Sequence, residues 1–397
     1  MILKDTLAKV AKAQRETLND TGIERELLSK ISTEQSMIQV LSGIRRSGKS
    51  TLLKQLMKKI KNYYYFNFED LRVVDFTIKD FEKLEAVFRE NFEKSNHYFF
   101  DEIQNVPEWE RYVRQKHDEG KKIIITGSNA SLLSKELGTK LTGRHLTFEV
   151  FPFSYKEMLK LKGKKKSIKT LKEYINKGGF PEYLKYEKTE ILQELLKDIL
   201  ARDIIVRHKI KDVKTLKELT IYLLTNTGKV FSYNKLKETF KIKSTNTIIS
   251  YISFLEDSFL IFTIPKFDYS YKKIIINPKK TYAIDTGLVK ANTASFSSDD
   301  GRLLENAVFL HLRRKYKEIF YLKEKKECDF VIKEKNKITQ AIQVCYELTE
   351  ENKQREIEGL QEAMKKFNLK KGTIITMNQK DKINNIEIKP MLEFLTQ

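Results

Sequence analysis

"SGIRRSGKSTLLKQL", Ser42 to Leu56, is the stretch that decides the fold. Within it, Gly43-Ile44-Arg45-Arg46-Ser47-Gly48-Lys49-Ser50 satisfies the pattern G-x-x-x-x-G-K-[ST] without a mismatch. An apolar run, "MIQVLS" (37–42), precedes it and reads as a buried strand, and "KSTLLKQLMKKI" (49–60) follows and reads as a helix. That strand–loop–helix context gives the pattern its meaning as a phosphate cradle. The glycines let the backbone turn its N–H groups inward onto phosphate oxygens, and the helix start adds the positive end of its dipole. Residues 43–51, closing with Thr51, are the expected lining. Lys49 is expected to reach the β and γ phosphates, and the Ser50 hydroxyl to ligate Mg²⁺. Arg45 and Arg46 are expected to face solvent or a neighbouring subunit.

Working outward, the text alternates between strand and helix. "NYYYFNFED" (62–70), "HYFFDE" (97–102), "KKIIITGS" (121–128) and "RHLTFEV" (144–150) read as strands. "IKDFEKLEAVFREN" (78–91) and "WERYVRQKHDEG" (109–120) read as helices between them, and the first 35 residues read as mainly helical. Strands apolar on both sides, alternating with helices, predict a parallel sheet covered on both faces. "HYFFDE" ends on an acidic pair. Asp101 is expected to meet the magnesium through water, and Glu102 to take a proton from an attacking water. One carboxylate for the metal and one for the base favours ATP hydrolysis over binding alone. In "TGSNA", Ser128 is the first choice for a side chain that senses the γ-phosphate, with Asn129 the alternative. Arg144, in "LTGRHLTF", is a candidate to reach a neighbouring subunit's γ-phosphate, and Arg202 ("LARDI") a second.

The chain of 397 residues has room for two or three domains and is 40% hydrophobic, enough to build their cores. No window approaches the length of apolar sequence that a membrane span needs, and the charged N-terminus has no signal-peptide core, so a cytoplasmic protein is expected. Two isolated cysteines, Cys328 and Cys345, argue against a disulfide framework, and no transition metal is expected. The formal charge of +21 is unevenly spread: +4 over residues 1–150, +8 over 151–211, +6 over 212–290 and +3 beyond. Cationic excess concentrated in the middle of the chain suits a polyanionic partner, nucleic acid before an anionic membrane.

The expected domains are 1–159, a P-loop ATPase with N-terminal helices; 160–211, a helical lid or linker; 212–290; and 291–397. "KLKGKKKSIK" (160–169) reads as a basic surface loop, and "GGFPE" (178–182) breaks the helical text after it. Over 212–290, "VKTLKELTIYLLTNTG", "SYNKLKETF" and "STNTIISYISFLEDS" read as three helices. They are followed by two extended segments, "FLIFTIPKF" and "KKIIINPKKTYAID". This is the winged-helix pattern. Ser244, Thr245, Asn246 and Thr247 open its third helix, with Lys235, Lys237, Lys241 and Lys243 before them, as candidates for phosphate contact. Such modules also bind proteins. The last domain reads as α/β, and Glu305, Asp329 and "QVC" (343–345) echo a restriction-type nuclease. Gln343 and Cys345 stand where an acidic or amide residue and a lysine belong, and a neutral thiol supplies no fixed positive charge. Cleavage there is not expected.

The chain resembles prokaryotic, mainly archaeal, AAA-family ATPases with a winged-helix region and a C-terminal uncharacterised domain of nuclease-like, PD-(D/E)xK-type fold. The likeness runs through "SGIRRSGKSTLL", "FFDEIQNVPEWE", "ITGSNASLLSKELGTKLTGRHLTFEVFPFSYKEML", "GGFPEYL", "ARDIIVRHKIKD", "KKTYAIDTGL" and "ECDFVI". It implies a ring, hexameric, with arginine fingers acting between subunits, and a role in DNA transactions. Together these readings give the expectation of an ATP- and Mg²⁺-dependent motor acting on duplex or branched DNA as a homo-oligomer. The alternatives are a nucleotide-gated signalling switch that binds proteins, and an ATP-dependent nuclease.

Overall fold

The computed structural model describes residues 2–19, 21–128, 143–293 and 300–397. It divides into two compact units, residues 1–151 and 152–397. Among the described residues of the first unit, five strands form one parallel sheet: β1 (Ile38–Ser42), β2 (Tyr64–Asn67), β3 (His97–Asp101), β4 (Lys122–Gly127) and β5 (His145–Glu149), in the order β2-β3-β4-β1-β5. Successive side chains of a strand point to opposite faces, and here each face has its own apolar cover. Val40, Phe66, Phe100 and Ile125 pack on one side with residues of helices α1 (Lys4–Glu16), α3 (Phe81–Asn91) and α4 (Trp109–Asp118). Leu41, Tyr65, Phe99 and Ile124 pack on the other with Leu52, Leu53 and Leu56 of helix α2 (Lys49–Met57). Five consecutive buried residues make β1 a central strand. The segment upstream of it is less helical than its text suggests, because Glu26–Lys30 forms only a 3-10 turn.

The second unit begins with helices at Tyr155–Lys162, Ile168–Lys177, Pro181–Tyr186 and Glu190–Asp198, the last running into a π-helical segment at Ile199–Val206. Three helices, Val213–Thr225, Tyr233–Thr239 and Thr245–Asp257, then combine with an antiparallel sheet of β6 (Val230–Phe231), β7 (Ile261–Pro265) and β8 (Lys279–Ala283), ordered β6-β8-β7. One sequence reading fails here. Residues 272–276, expected to be extended, lie in a helix, Tyr271–Ile276. β7 pairs with β8 only from Ile261 to Pro265, so an extended 272–276 would lack a sheet partner. A helix satisfies the backbone internally, and it ends before Pro278, which disfavours helical geometry in the residue preceding it.

The rest of the unit is a helix, Asp300–Arg313, then β9 (Glu318–Lys323), β10 (Glu327–Glu334), β11 (Lys337–Val344), a helix at Glu350–Phe367, β12 (Gly372–Thr376), β13 (Asp381–Ile383), β14 (Ile386–Pro390) and a short helix at Met391–Leu395. The sheet order is β13-β14-β12-β11-β10-β9. The hairpin of β13 and β14 was not anticipated from sequence. Asn384 turns it with φ +51°, a conformation that asparagine tolerates. No helix among the described residues is long and apolar enough to cross a membrane.

Two motifs distant in sequence meet inside this unit. Asp285 accepts hydrogen bonds from the Gly179 N–H at 2.6 Å and the Leu288 N–H at 2.8 Å, joining "GGFPE" to the start of the helix Thr286–Asn292. Gly178 has φ +69°, and a Cβ there would stand 2.1 Å from the Asp285 carboxylate. Burial pushes the Asp285 carboxyl up to about 6, against the pull of these N–H groups and of Arg314. The folded chain therefore binds this proton more tightly than the unfolded chain, whose aspartate titrates near 3.9. Between about pH 4 and pH 6 this group should remove stability as pH rises, by roughly 2–3 kcal/mol in all, and level off above that window. Urea unfolding across the range should show the loss in the native chain and a flatter profile in Asp285→Asn.

Candidate nucleotide-binding site

The loop from Gly43 to Gly48 leaves the C-terminal end of β1 and enters α2 at Lys49. Two of its positions require glycine. A Cβ on Gly43 would lie 2.2 Å from the Val150 carbonyl oxygen, and Gly48 has φ +92°. Parallel pairing of β1 with β4, and of β4 with β3, brings the acidic pair out on the same edge of the sheet. Lys49 Nζ, almost wholly buried, donates to the carbonyls of Gly43 (3.1 Å) and Ile44 (3.2 Å) and stands 3.4 Å from Glu102 Oε1.

Asp101 is buried at the end of β3. Its carboxylate accepts from the Thr126 hydroxyl at 2.5 Å and also hydrogen-bonds Ser50, and the Tyr65 hydroxyl lies 3.5 Å away. Burial, and then the neighbouring Glu102 charge, push the Asp101 carboxyl up to about 6 against those bonds and the attraction of Lys49. Glu102 behaves oppositely. Burial pushes it up, but the Lys49 ammonium, the Gln104 amide and Arg45 together outweigh burial and hold it below the usual glutamate range. Its backbone is left-handed (φ +50°), an uncommon conformation for a residue with a side chain that turns the carboxylate off the strand direction. The Glu102 N–H donates to Thr126 Oγ1 at 2.9 Å, and Gln104 Nε2 donates to Glu102 Oε2 at 2.5 Å. A carboxylate held toward its ionised form and a neighbour held toward its protonated form thus stand side by side with a lysine.

The structure brings together Gly43, Gly48, Lys49, Ser50, Asp101, Glu102 and Ser128. Ser128 is buried just past β4, 3.5 Å from the Gln104 amide. Thr51 follows in the first turn of α2. Ile44 and Ser47 are buried in the loop, Arg46 is exposed with φ +62°, and Arg45 pairs with Glu69 at 2.9 Å. Asn129 lies outside the described residues. Arg144 is not at this site in its own chain. It precedes β5 at the other end of β1, its carbonyl bonded to the Ile38 N–H, about 13 Å of strand away from the loop, and its guanidinium pairs with Asp118 at 3.2 Å. Arg202 is exposed on the π-helical segment, 3.8 Å from Asp198.

In the second unit, Ser244 is committed to capping its helix, accepting from the Asn246 N–H, and Thr245 bonds Asn234. Asn246, Lys235, Lys241 and Lys243 are exposed, while Thr247 and Lys237 are half-buried. Asp329 and Gln343 are adjacent, the Gln343 side-chain oxygen accepting from the Asp329 N–H at 3.1 Å, while Cys345 packs into the apolar core with Leu322 and Leu360.

Two contributors to the first site were missed from sequence. Thr126, in "IIITG", holds both members of the acidic pair, and a polar residue near the end of an apolar strand was its only signal. Arg25 braces the loop from outside. Nearly buried, it donates to the Ser47 carbonyl at 2.8 Å and the Phe151 carbonyl at 2.7 Å. Its Nη1 also stands 2.8 Å from where a Cβ on Gly48 would be.

Residues 35–159 match an AAA domain family, residues 168–299 a domain of unknown function (DUF8612), and residues 300–394 another (DUF4143). An uncharacterized protein of Methanocaldococcus jannaschii, MJ1544, is 38% identical over 389 residues, covering 89% of this chain and 87% of that protein. An uncharacterized protein of Haemophilus influenzae is 31% identical over 340 residues, covering 80% and 84%. Among solved structures, AMPPCP-bound DnaA from Aquifex aeolicus aligns with 64% of this chain and 89% of its own at 15% identity, with a TM-score of 0.27, too loose a likeness to carry a structural conclusion.

Arg25→Ala should remove a charged donor from the Ser47 and Phe151 carbonyls and destabilise the chain by about 2–4 kcal/mol in urea unfolding. Its affinity for a fluorescent nucleotide should fall by about tenfold or more, since the loop loses its outer support.

Proposed function

The chain belongs to the same family as the Methanocaldococcus jannaschii protein MJ1544 and carries an AAA domain over residues 35–159; on that premise we propose that it hydrolyses ATP as a cytoplasmic motor acting on DNA, structured or branched, in an oligomeric ring. The observation that carries the ATPase reading is the convergence of Lys49, Ser50, Asp101 and Glu102 at one edge of the sheet. These residues fit a magnesium nucleotide. Buried Asp101 with the Ser50 hydroxyl beside it is an oxygen-donor set that suits Mg²⁺. The carbonyls now serving Lys49 are partners that phosphate oxygens can replace. Magnesium, when bound, neutralises charge on the phosphates.

The chain's own groups do the rest. Loop N–H groups orient the phosphates, and Lys49 moves onto them. That movement releases Glu102 from its ion pair, and its carboxylate becomes free to accept a proton from water. Gln104 holds Glu102 on one side and reaches toward Ser128, the group chosen to sense the γ-phosphate.

The oligomeric reading draws on Arg144, which lies too far along β1 to serve its own chain's nucleotide. The DNA reading draws on the charge of +14 concentrated in residues 151–290. It draws also on the order helix, β6, helix, helix, β7, β8 over residues 213–283, which is that of a winged helix. In the last domain, the succession of helix, three antiparallel strands, helix and parallel strand supports the nuclease-like reading of the fold. Cys345, buried among apolar side chains, argues against cleavage. One observation favours the protein-binding alternative: Tyr269, Tyr271, Ile275 and Ile276 are all exposed on the β7–β8 connection, an apolar patch suited to a partner protein.

Lys49→Ala should abolish nucleotide binding, whereas Glu102→Gln should retain it and slow turnover by about 100-fold or more. Fluorescent-nucleotide titration and phosphate release separate the two, and normal hydrolysis by both variants would sink the assignment. Turnover should rise when duplex, single-stranded or four-way-junction DNA is added, and DNA affinity should fall steeply with salt. Turnover indifferent to every DNA would leave the signalling switch in its place. Arg144→Ala should spare nucleotide binding and depress hydrolysis, and mixing it with Glu102→Gln subunits should recover part of the activity.

A further inference from the structure

A second set of charges, which includes the Glu305 and Asp329 of the nuclease-like pattern, gathers around a buried lysine in the unit 152–397. Lys280 and Tyr282 alternate onto one face of β8, and Glu327 and Asp329 onto one face of β10. The Lys280 ammonium stands 2.8 Å from Asp329 Oδ1, 2.8 Å from Glu327 Oε1 and 3.1 Å from Glu305 Oε1, the last carried by the helix Asp300–Arg313. Tyr282 donates its hydroxyl to the same Glu305 oxygen at 2.6 Å, and the second oxygen of Asp329 accepts from the Val344 N–H at 2.9 Å. The lysine side chain is 2% exposed, and the most open of its three partners is Glu327, at 31%.

One ammonium meets three carboxylates from two separate elements, and a second, Lys323, stands 3.4 Å from the outer oxygen of Glu327, so carboxylates outnumber lysines three to two. Burial pushes both Glu305 and Asp329 up, although Lys280 pulls them down. A cage of carboxylate oxygens with surplus negative charge is what a divalent cation requires, and such ions hold their oxygens at about 2.0–2.6 Å. The oxygens around Lys280 would need to close by roughly 0.5 Å to reach that range. Among the described residues, no group of acidic, histidine or cysteine side chains stands at metal-binding spacing as the structure is.

We propose that Glu305, Glu327 and Asp329 form a divalent-cation site in which the Lys280 ammonium takes the place of the metal. The lysine comes from β8, outside the domain that supplies the carboxylates, so a residue of one module closes the site of the next. While it is seated, no metal binds there and no metal-assisted hydrolysis proceeds at Asp329. The same contact ties β8 to β10 and to the helix Asp300–Arg313. Nothing in this inference depends on nucleotide or DNA, and it stands or falls apart from the ATPase reading.

The test is Mn²⁺ titration of the full chain by calorimetry, without nucleotide, counting only binding that Asp329→Asn removes. The native chain should show none. Lys280→Ala should gain one such site, lost again in the Lys280→Ala/Asp329→Asn double variant, and Mn²⁺ should raise its unfolding midpoint by about 5 °C or more. Should Lys280→Ala not fold, Lys280→Gln, which keeps a polar side chain there without the charge, is read by the same criterion. Asp329-dependent Mn²⁺ binding in the native chain would overturn the proposal. So would a folded lysine-free variant that gains no Asp329-dependent site.

Discussion

Parallel pairing of β1, β4 and β3 is the constraint from which the first unit's chemistry follows. In a parallel sheet every strand delivers its C-terminal end to the same edge. Ser42 pairs with Gly127 and Phe100 with Ile125, so the loop after β1, the acidic pair after β3 and the polar end of β4 leave the sheet together. β4 lies between the other two, and its Thr126 hydroxyl therefore reaches both Asp101 and the Glu102 backbone. Holding Asp101 in that buried position costs about 3 kcal/mol at neutral pH, judged from its displaced titration. The sheet supplies the stability against which such a cost is tolerated: Phe99, Phe100, Ile124 and Ile125 are buried on opposite faces of the strands that carry the site.

Legibility in the sequence follows the locality of each signal. The strands of the first unit were readable because each is a short apolar run bounded by turns, and the loop because its spacing is itself the geometry. Asp101 and Glu102 were readable because they end a strand. Arg25 was not, since it approaches Gly48 from a segment with no regular structure and its partners are backbone carbonyls, which have no sequence signature. The helix at Tyr271–Ile276 was misread because three consecutive isoleucines favour a strand, and only the absence of a pairing partner overrides that preference. Lys280 was missed for a different reason. A lysine in a lysine-rich chain carries no information until the fold sets it 25 residues from Glu305 and 49 from Asp329 in sequence, yet within hydrogen-bonding distance of both.

The two lysine–carboxylate sets show how the same chemistry serves opposite ends. Lys49 lies 3.4 Å from Glu102, beyond hydrogen-bonding distance for a strong charged pair, and its closer partners are neutral carbonyls. Those contacts are easily exchanged for phosphate oxygens, which offer the ammonium more charge than a carbonyl does. Lys280 has carboxylates at 2.8 Å, and its burial strengthens the attraction, most of all to the similarly buried Asp329. Removing the lysine leaves three carboxylates, those of Glu305 and Asp329 largely buried, facing one another. An exchangeable lysine belongs at a site that cycles between ligand states, and a lysine bound this tightly belongs where one state is to be kept. That difference, set by whether carbonyls or carboxylates surround the ammonium, distinguishes the site open to ligand from the one closed by its own chain.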